Sequence, residues 1–326
     1  SAASDVYKRQ IEAAGDADTL LPGLGPNVPV TEYPDKLIVP GFIDCHVHFS
    51  QLDIIGSFGE QLLDWLNRYA YPAEARFADV DYAREVAVAF IDQLLLNGTT
   101  TALVFGTVHP HSADVIFEAA AARDMRLIAG KVWMDRNCPE ALRDDATSAY
   151  RDSKALLEKW HNHGRLGYAI TPRFALTSSD EQLRAAGKLA AEHPDVWIHT
   201  HLAENKSEVD EIARLFPERR SYLDVYDDFG LLREKAVFAH CLYMDANDRS
   251  TMADAGGAAA FCPTSNLFLG SGLFDLTAMR DANVRCGLGT DVGGGTSLSL
   301  LRTASEAYKV LHLEGHALPA MRALFL

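Results

Sequence analysis

Two histidines one residue apart, His46 and His48, lie at the end of an apolar stretch of the chain. Residues 37–47 are largely β-branched and apolar, which predicts a buried strand. Side chains alternate along a strand, so both imidazoles point to the same face near its carboxyl end. Imidazole is a usual zinc ligand, and one rigid strand here offers two. The pair therefore indicates a metal site, with two hydrogen-bonded core histidines as the alternative.

Three more predicted strands are followed by residue types that bind metals: His201, His240 and Asp291. Glu204 comes three residues after the first of them. Packing alone gives no reason for ionisable residues to gather at the ends of apolar strands. Imidazole and carboxylate are good zinc ligands, and a catalytic zinc keeps one position open for water. The strand ends together therefore predict a catalytic metal centre.

These strand ends belong to a regular alternation of strand and helix patterns. The predicted strands are residues 37–47, 101–105, 126–133, 167–171, 196–200, 236–239, 258–262 and 285–288. The predicted helices are residues 81–97, 111–123, 146–160, 180–192, 206–216, 245–255, 273–282 and 297–313. This alternation predicts an α/β fold with a parallel sheet, closed as a (β/α)8 TIM barrel. The candidate ligands then fall on strands one, five, six and eight, at the carboxyl-terminal face where such barrels hold their active sites.

The composition agrees with one large enzyme domain. The chain has 326 residues and a formal net charge of −15, from 30 Lys and Arg against 45 Asp and Glu. This charge argues against nucleic acid or an anionic membrane as a partner. Five scattered cysteines argue against a disulfide framework, and the sequence shows no membrane-spanning apolar run and no secretory signal. We therefore expect a cytoplasmic protein.

Several short motifs agree with a known family. They are residues 41–48 with Gln51, 59–66 (GEQLLDWL), 171–176 (TPRFAL), 201–205 (HLAEN), 262–272 (CPTSNLFLGSG) and 289–295 (GTDVGGG). Together they resemble the amidohydrolase superfamily of metal-dependent hydrolases, and within it the branch that deaminates guanine. The resemblance runs from about residue 11 to the end of the chain. The histidines and Asp291 mark the superfamily, whereas Gln51, Arg173, Phe174 and residues 262–272 mark the guanine branch.

The resemblance implies two parts of the chain. Residues 37–326 are expected to form the metal-dependent hydrolase barrel, and residues 1–36 an N-terminal segment. Residues 1–10 are unlike the family, which favours an artefact at the start of the sequence, while residues 11–36 are expected to belong to an accessory β-region. The family adds a small β-sandwich built from both chain ends. Because the sequence stops at Leu326, inside an expected helix, we expect a truncated barrel that lacks most of this sandwich.

The resemblance also implies how the metal is held and used. One zinc ion per chain, or iron, is expected to be bound by His46, His48, His201 and Asp291. His240 is expected to lie beside the metal and to hold or orient the water. Glu204 is expected to be the proton shuttle, and Asp291 to take the proton that the water loses. A carboxyl group three residues beyond a metal-binding histidine suits such acid–base work.

The expected substrate is a purine, contacted by Gln51, Arg173, Phe174 and His201. The guanidinium of Arg173 is a rigid fork of donors that matches the 6-oxo oxygen and ring nitrogen 7 of guanine. The implied reaction is zinc-dependent hydrolytic deamination of guanine to xanthine and ammonia, a step of purine catabolism. A homodimer is the assembly that we consider for this family.

Other interpretations stay open at this point. Glu204 can merely open the following helix, Arg173 can pair with a surface carboxylate, and Phe174 can be plain core. His199 is predicted to be a satisfied interior histidine. For the whole chain, the alternatives are a related amidohydrolase that deaminates cytosine or an aminotriazine, and a non-catalytic scaffold with the same fold. The Arg173-Phe174 pair argues against the first, and the presence of every candidate ligand argues against the second.

Overall fold

The structure is a computed structural model that describes residues 2–7, 10–59 and 61–326, with only the backbone described for residues 2–7 and 10. Positions 1, 8 and 9 of the predicted N-terminal segment, and Glu60 of the motif at residues 59–66, lie outside the described residues. The chain divides into two compact units, Ser1–Pro40 and Gly41–Leu326.

The first unit contains an antiparallel pair of strands, β1 (Ala2–Tyr7) and β2 (Gln10–Asp16). A short helix follows, α1 (Ala17–Leu20), and Asp16 caps it by accepting a hydrogen bond from the amide of Asp18. After a 3-10 turn at Leu21–Gly23, residues 24–40 form neither helix nor strand. The prediction that the first barrel strand begins at residue 37 is therefore wrong. Pro40 has no N–H to donate to a strand ladder, which disfavours pairing on this side.

The second unit is a barrel of parallel strands. In chain order they are β3 (Phe42–His48), β4 (Thr99–Phe105), β5 (Arg126–Gly130), β6 (Val132–Trp133), β7 (Leu166–Pro172), β8 (Trp197–Leu202), β9 (Ala236–His240), β10 (Ala258–Phe261) and β11 (Arg285–Leu288). Hydrogen bonds connect them in the order β3-β4-β5-β7-β8-β9-β10-β11, and β6 pairs with β7. All eight predicted strands are present, and the third is interrupted at Lys131. The predicted (β/α)8 barrel is confirmed.

Contacts between the first and last strands bring the two halves of the candidate site together. Asp44 on β3 accepts hydrogen bonds from the amide (3.0 Å) and the hydroxyl (2.5 Å) of Thr290, just beyond β11. The amide of Asp291 donates to the carbonyl of His46 at 2.8 Å. A side chain at position 289 would place its Cβ 2.9 Å from that of His46, so only Gly289 allows this approach. The barrel closure therefore sets Asp291 beside the histidine pair.

Helices and short turns connect the strands of the barrel. The helices are α2 (Leu62–Trp65), α3 (Tyr71–Ala75), α4 (Val80–Leu96), α5 (Pro110–Ala121), α6 (Ala146–Trp160), α7 (Asp180–Glu192), α8 (Lys206–Leu215), α9 (Tyr222–Asp228), α10 (Ala246–Asp254), α11 (Pro263–Phe268), α12 (Leu276–Asp281), α13 (Leu300–Leu313) and α14 (Ala320–Phe325). The eight predicted helices appear with ends within three residues of those expected. Within the described ranges, none of the helices has the length and apolarity needed to cross a membrane.

Short helical turns fill the remaining connections, at Phe49–Ile54, Leu66–Ala70, Arg76–Ala78, Glu140–Leu142 and Ala175–Thr177. Two of the predicted helix ends are confirmed in detail. Ser179 caps α7 by accepting a hydrogen bond from the amide of Gln182. Gly98 follows α4 with a left-handed φ of 81°.

Phe105, the last residue of β4, lies directly against the candidate site. Small and branched apolar residues form a separate buried cluster on the strands, namely Leu103, Ile128, Ala169, Val237, Ala239, Ala260 and Cys262. Leu103 is two residues before Phe105 on β4, so both side chains point to the same side of the strand. The Phe105 ring lies 4.6 Å from the ring of His199 and 4.5 Å from that of His201. An apolar layer thus supports the histidines from below.

Candidate metal centre and active site

The barrel mouth brings together the four predicted metal ligands His46, His48, His201 and Asp291. Nε2 of His48 lies 3.1 Å from Nε2 of His46 and 3.3 Å from Nε2 of His201. Oδ1 of Asp291 lies 3.1 Å from Nε2 of His46 and 3.3 Å from Nε2 of His48. Ligand atoms at zinc-bonding distance in a tetrahedral site are separated by roughly 3.3 Å. The spacing and the donor set, three imidazoles and a carboxylate, therefore fit one metal ion.

Each of the three imidazoles has a partner at its other ring nitrogen. Nδ1 of His48 lies 3.3 Å from Nε2 of Gln51, and the contacts of the other two rings are shorter. Nδ1 of His201 lies 2.7 Å from the carbonyl oxygen of Arg173, to which it can only donate. Nδ1 of His46 lies 2.7 Å from Nε2 of His199. Outer partners of this kind fix the tautomer and the ring orientation of metal-binding histidines. Both rings consequently present Nε2 to the centre of the cluster.

His199 is more than a core residue. It is fully buried, as the sequence predicts, and its Nε2 contacts His46. Its Nδ1 has no hydrogen-bond partner among the described residues, so the prediction of a satisfied interior histidine is wrong for this atom. Strand alternation places it one layer below His201. It is therefore an outer partner of a candidate ligand.

His240 faces the same cluster from the end of β9. Its Nε2 lies 3.3 Å from Oε2 of Glu204 and 3.8 Å from Oδ2 of Asp291. Its Nδ1 lies 2.9 Å from the side-chain oxygen of Asn266, a residue that the sequence analysis did not single out. A second set of donor atoms lies within 4.8 Å of one another, on His46, His201, His240 and Asp291. His240 is thus placed either to bind the metal or to orient a water beside it.

The backbone turns sharply at three of these strand ends. Ala203, His240 and Asp291 adopt left-handed φ angles of 50°, 78° and 49°. For residues other than glycine this conformation costs on the order of 1–3 kcal/mol and clusters at functional sites. The strain coincides with the points where the chain must aim side chains into the barrel mouth.

Burial governs the protonation of the site. It lowers the pKa of His48 to about 3, that of His240 to about 4, and that of His201 well below its ordinary value. Neutral imidazole is the form that binds metal. Burial, and then the negative charge of Asp291, raise the pKa of Glu204 well above its ordinary value. The site thus combines neutral imidazoles at His48, His201 and His240 with a carboxyl group that retains its proton easily.

A cleft opens beside the cluster and contains every predicted substrate contact. It is lined by His48, Gln51, Leu62, Trp65, Leu66, Arg173, Phe174, His201, Glu204, Leu269, Asp291 and Gly294. Apolar side chains form part of these walls, and polar or ionisable side chains that converge on the cleft form the rest, a combination found in small-molecule sites. Phe174 is both core and cleft wall, being 2% exposed with its ring 6.2 Å from that of His201.

Glu204 belongs to the cleft and does not cap a helix. The residue that caps α8 is its neighbour Asn205, whose side-chain oxygen accepts a hydrogen bond of 3.0 Å from the amide of Ser207. Glu204 is 4% exposed and lies beside the candidate ligands. The alternative that Glu204 merely opens the following helix is therefore wrong.

Glu74 is the main functional candidate that sequence reasoning missed. It is fully buried, and its two oxygens lie 2.8 and 2.7 Å from Nη1 of Arg173. Oε1 also accepts a hydrogen bond of 2.9 Å from Nε2 of Gln51. Arg173 is therefore buried in an ion pair, and the alternative of a surface pair is wrong. The only signal was an acidic residue two positions after Pro72 in an otherwise apolar segment.

Comparisons with known proteins agree with this geometry. The family model described as Amidohydrolase family matches residues 37–326. Guanine deaminase of Escherichia coli (strain K12) is 54% identical over 297 residues, which cover 91% of this chain and 68% of that protein. A solved structure of E. coli guanine deaminase matches 99% of this chain and 75% of its own, with a TM-score of 0.97 at 50% identity.

Two further solved structures resemble this chain to different degrees. Guanine deaminase from C. acetobutylicum, with guanine bound in its active site, is 29% identical with a TM-score of 0.92, over 98% of this chain and 77% of that chain. Triazine hydrolase from Arthobacter aurescens is 22% identical with a TM-score of 0.73, over 79% of this chain and 60% of that chain, a likeness of fold alone. The family match and the E. coli relative show that the chain belongs to the amidohydrolase family, in its guanine deaminase branch.

Proposed function

We propose that this chain catalyses the hydrolytic deamination of guanine to xanthine and ammonia, a step of purine catabolism. The observation that carries the proposal is the cleft, which Arg173 and Gln51 line together with members of the cluster of three histidines and an aspartate. The identity with the E. coli enzyme supports the same substrate.

Zinc is the metal that we propose for the cluster, with one ion per chain held by His46, His48, His201 and Asp291. When bound, zinc lowers the pKa of water to roughly 7 and so supplies a nucleophile at neutral pH. Imidazole and carboxylate ligands also bind iron. Elemental analysis of the purified protein distinguishes the two metals. β7 (LGYAITP) offers no lysine or glutamate to bridge a second ion, which supports a single metal.

The carboxyl groups of the cleft divide the proton transfers between them. Attack on carbon 2 of guanine requires a proton at ring nitrogen 3 and another on the leaving ammonia. Glu204 lies beside the cluster without being one of the four proposed ligands, and its own proton can go to ring nitrogen 3. After it takes up the proton of the hydroxyl added at carbon 2, it can protonate the leaving amino group. Oδ1 of Asp291 faces His46, whereas Oδ2 faces His240 at 3.8 Å and can accept the proton that the water loses. General acid–base catalysis of this kind contributes about 10²–10⁴ in rate.

Recognition of the purine is assigned to Gln51, Arg173, Phe174 and His201, which line the same cleft as Glu204. Among the described residues, Nη1 is the guanidinium nitrogen of Arg173 that bonds to protein, which leaves Nη2 and Nε for a ligand. These two donors match the 6-oxo oxygen and ring nitrogen 7 of guanine. Phe174 packs against the base, and Gln51 and His201 contact its edge.

A substrate panel tests this function directly. Metal-loaded protein is incubated separately with guanine, adenine, cytosine and an aminotriazine, and the ammonia released is measured. Guanine should be preferred by tenfold or more over adenine, since a buried donor facing the 6-amino group costs about 1–3 kcal/mol. Preferred turnover of cytosine or the triazine would instead establish the related hydrolase, and no ammonia from any compound would favour the scaffold.

Cytoplasmic location and a homodimeric assembly complete the proposal. The five cysteines are all free, which agrees with a reducing compartment. Helix α13 exposes large apolar side chains, including Leu301 at 55% and Leu313 at 71%, of the kind that protein interfaces cover. Light scattering on the purified protein in solution should give the mass of two chains. The mass of one chain would exclude the dimer.

A further inference from the structure

One buried carboxylate holds the two polar side chains of the purine-binding wall. Gln51 lies in the turn after β3 and Arg173 just after β7, so they come from opposite sides of the barrel mouth. Both bond to Glu74 on α3, at 2.9 Å for Nε2 of Gln51 and 2.7–2.8 Å for Nη1 of Arg173. The three side chains are buried, with exposed fractions of 2%, 2% and 0%. Glu74 therefore determines where both donors point.

The contacts of Gln51 leave its amide no freedom to turn. Its Nε2 donates to Glu74 and lies 3.3 Å from Nδ1 of His48, and its Oε1 accepts a hydrogen bond of 3.0 Å from the amide of Gly293. A flipped amide would set oxygen against the carboxylate and nitrogen against the N–H group. Glu74 and Gly293 together select one orientation.

The contacts of Arg173 preserve its charge as well as its position. Burial opposes that charge, but Glu74 and then Tyr71 hold the pKa of the guanidinium above its ordinary value. The Tyr71 ring lies 5.3 Å from Cζ of Arg173, on the same helix as Glu74. Since the carboxylate engages only Nη1, the other donors of the fork are kept charged and directed away from α3.

We propose that Glu74 is a positioning residue that sets the preference of the cleft for a 6-oxopurine, acting through Arg173 and Gln51. Glu74 does not line the cleft itself, so its effect is indirect. The proposal rests on the proposed function, because it assumes that a purine occupies the cleft. Glu74 would therefore influence which purine the cleft binds, although its own side chain does not line the cleft.

The test uses binding of two ligands that cannot be deaminated at carbon 2. Hypoxanthine carries the 6-oxo group and purine lacks it, and neither has a 2-amino group. Calorimetric titration of the metal-loaded parent should show hypoxanthine bound at least tenfold more tightly. Glu74→Gln places a donor against Nη1 of Arg173 and should remove most of that preference. In guanine turnover the same variant should raise KM about tenfold or more and change kcat less.

A matched control separates positioning from general damage. Asp144 forms another ion pair, with the buried Lys131, and neither residue lines the cleft. Asp144→Asn should leave the ratio of the two dissociation constants unchanged. In an Arg173→Ala background, Glu74→Gln should produce no further loss of preference, because its effect passes through the missing side chain.

Each outcome decides the proposal independently of the deamination reaction. An unchanged preference in folded, metal-loaded Glu74→Gln would overturn it, and so would a parent that binds both ligands equally. If Glu74→Gln fails to fold, Glu74→Asp keeps the charge but shortens the side chain, and it should give an intermediate preference; a preference equal to the parent's would refute the proposal. Guanine turnover by the parent tests the proposed function separately.

Discussion

The side-chain oxygen of Asn266 lies 2.9 Å from Nδ1 of His240. An amide oxygen can only accept, so Nδ1 carries the hydrogen and Nε2 keeps its lone pair. That lone pair faces Glu204 and Asp291, at 3.3 and 3.8 Å. Asn266, from the short helix α11, therefore fixes the tautomer in which His240 can accept a hydrogen bond at the barrel mouth.

Removing this acceptor should slow the reaction without emptying the metal site. Asn266→Ala leaves a buried donor without a partner, which costs about 1–3 kcal/mol and allows the His240 ring to turn. We expect kcat to fall about tenfold or more, with little change in KM or metal content. Asn266→Asp supplies an acceptor again and should recover much of the rate. Wild-type kcat in Asn266→Ala would show that the contact has no role in turnover.

Glu204→Gln isolates the proton shuttle. The change keeps the shape of the side chain but removes its ability to exchange a proton. Steady-state kinetics should show kcat reduced by about 10²–10⁴, with metal content and KM nearly unchanged. Loss of the metal would make Glu204 a ligand instead, and a near-normal kcat would move the shuttle to His240 or Asp291.

The contact between His199 and His46 predicts a graded loss of metal. His46→Ala removes a proposed ligand and should abolish most binding. His199→Ala removes only the outer partner at 2.7 Å, and such changes weaken metal affinity by about 10–100-fold. Competition with a chelator of known affinity measures both. If His199→Ala binds the metal as tightly as the parent, the contact between His199 and His46 does not contribute to metal affinity.

Glu208 should make stability depend on pH. Its carboxyl group is fully buried and accepts hydrogen bonds from the amides of Glu204 and Asn205 and from the Tyr222 hydroxyl. Burial raises its pKa from an ordinary 4.5 to about 7. Between these values the folded protein retains a proton that the unfolded chain releases, so the free energy of unfolding falls as pH rises through this window.

Glu208→Gln cannot ionise and should lose this dependence. The unfolding free energy of the variant minus that of the parent should increase between pH 4.5 and 7, by at most about 1.4 kcal/mol per pH unit, and level off above. Urea denaturation of both proteins at several pH values gives the difference. A difference that stays constant would show that Glu208 is ionised throughout.

Strand periodicity was sufficient to predict the ligand cluster. His46 and His48 share a face because they are two residues apart, and His201, His240 and Asp291 converge because parallel strands end at the same side of a barrel. Side-chain alternation and strand order are both readable from a sequence.

The partners of these residues could not be predicted in the same way. Glu74 lies on α3 in the long connection after β3, and Asn266 on α11, where no periodicity relates either residue to the strands. Their contacts depend on how irregular segments fold back over the barrel mouth. Similarly, the apolar residues 37–41 look like a strand but have no pairing in the structure.

One metal ion in this cluster is proposed to drive guanine deamination. The most direct measurement is to remove the metal, add zinc back in steps, and follow xanthine and ammonia formed from guanine. We expect almost no product from the metal-free protein. As zinc is added, xanthine and ammonia should form in equal amounts, at a rate that rises linearly and levels at one zinc per chain. Full activity without metal, a plateau at two ions per chain, or no xanthine at any zinc level would contradict it.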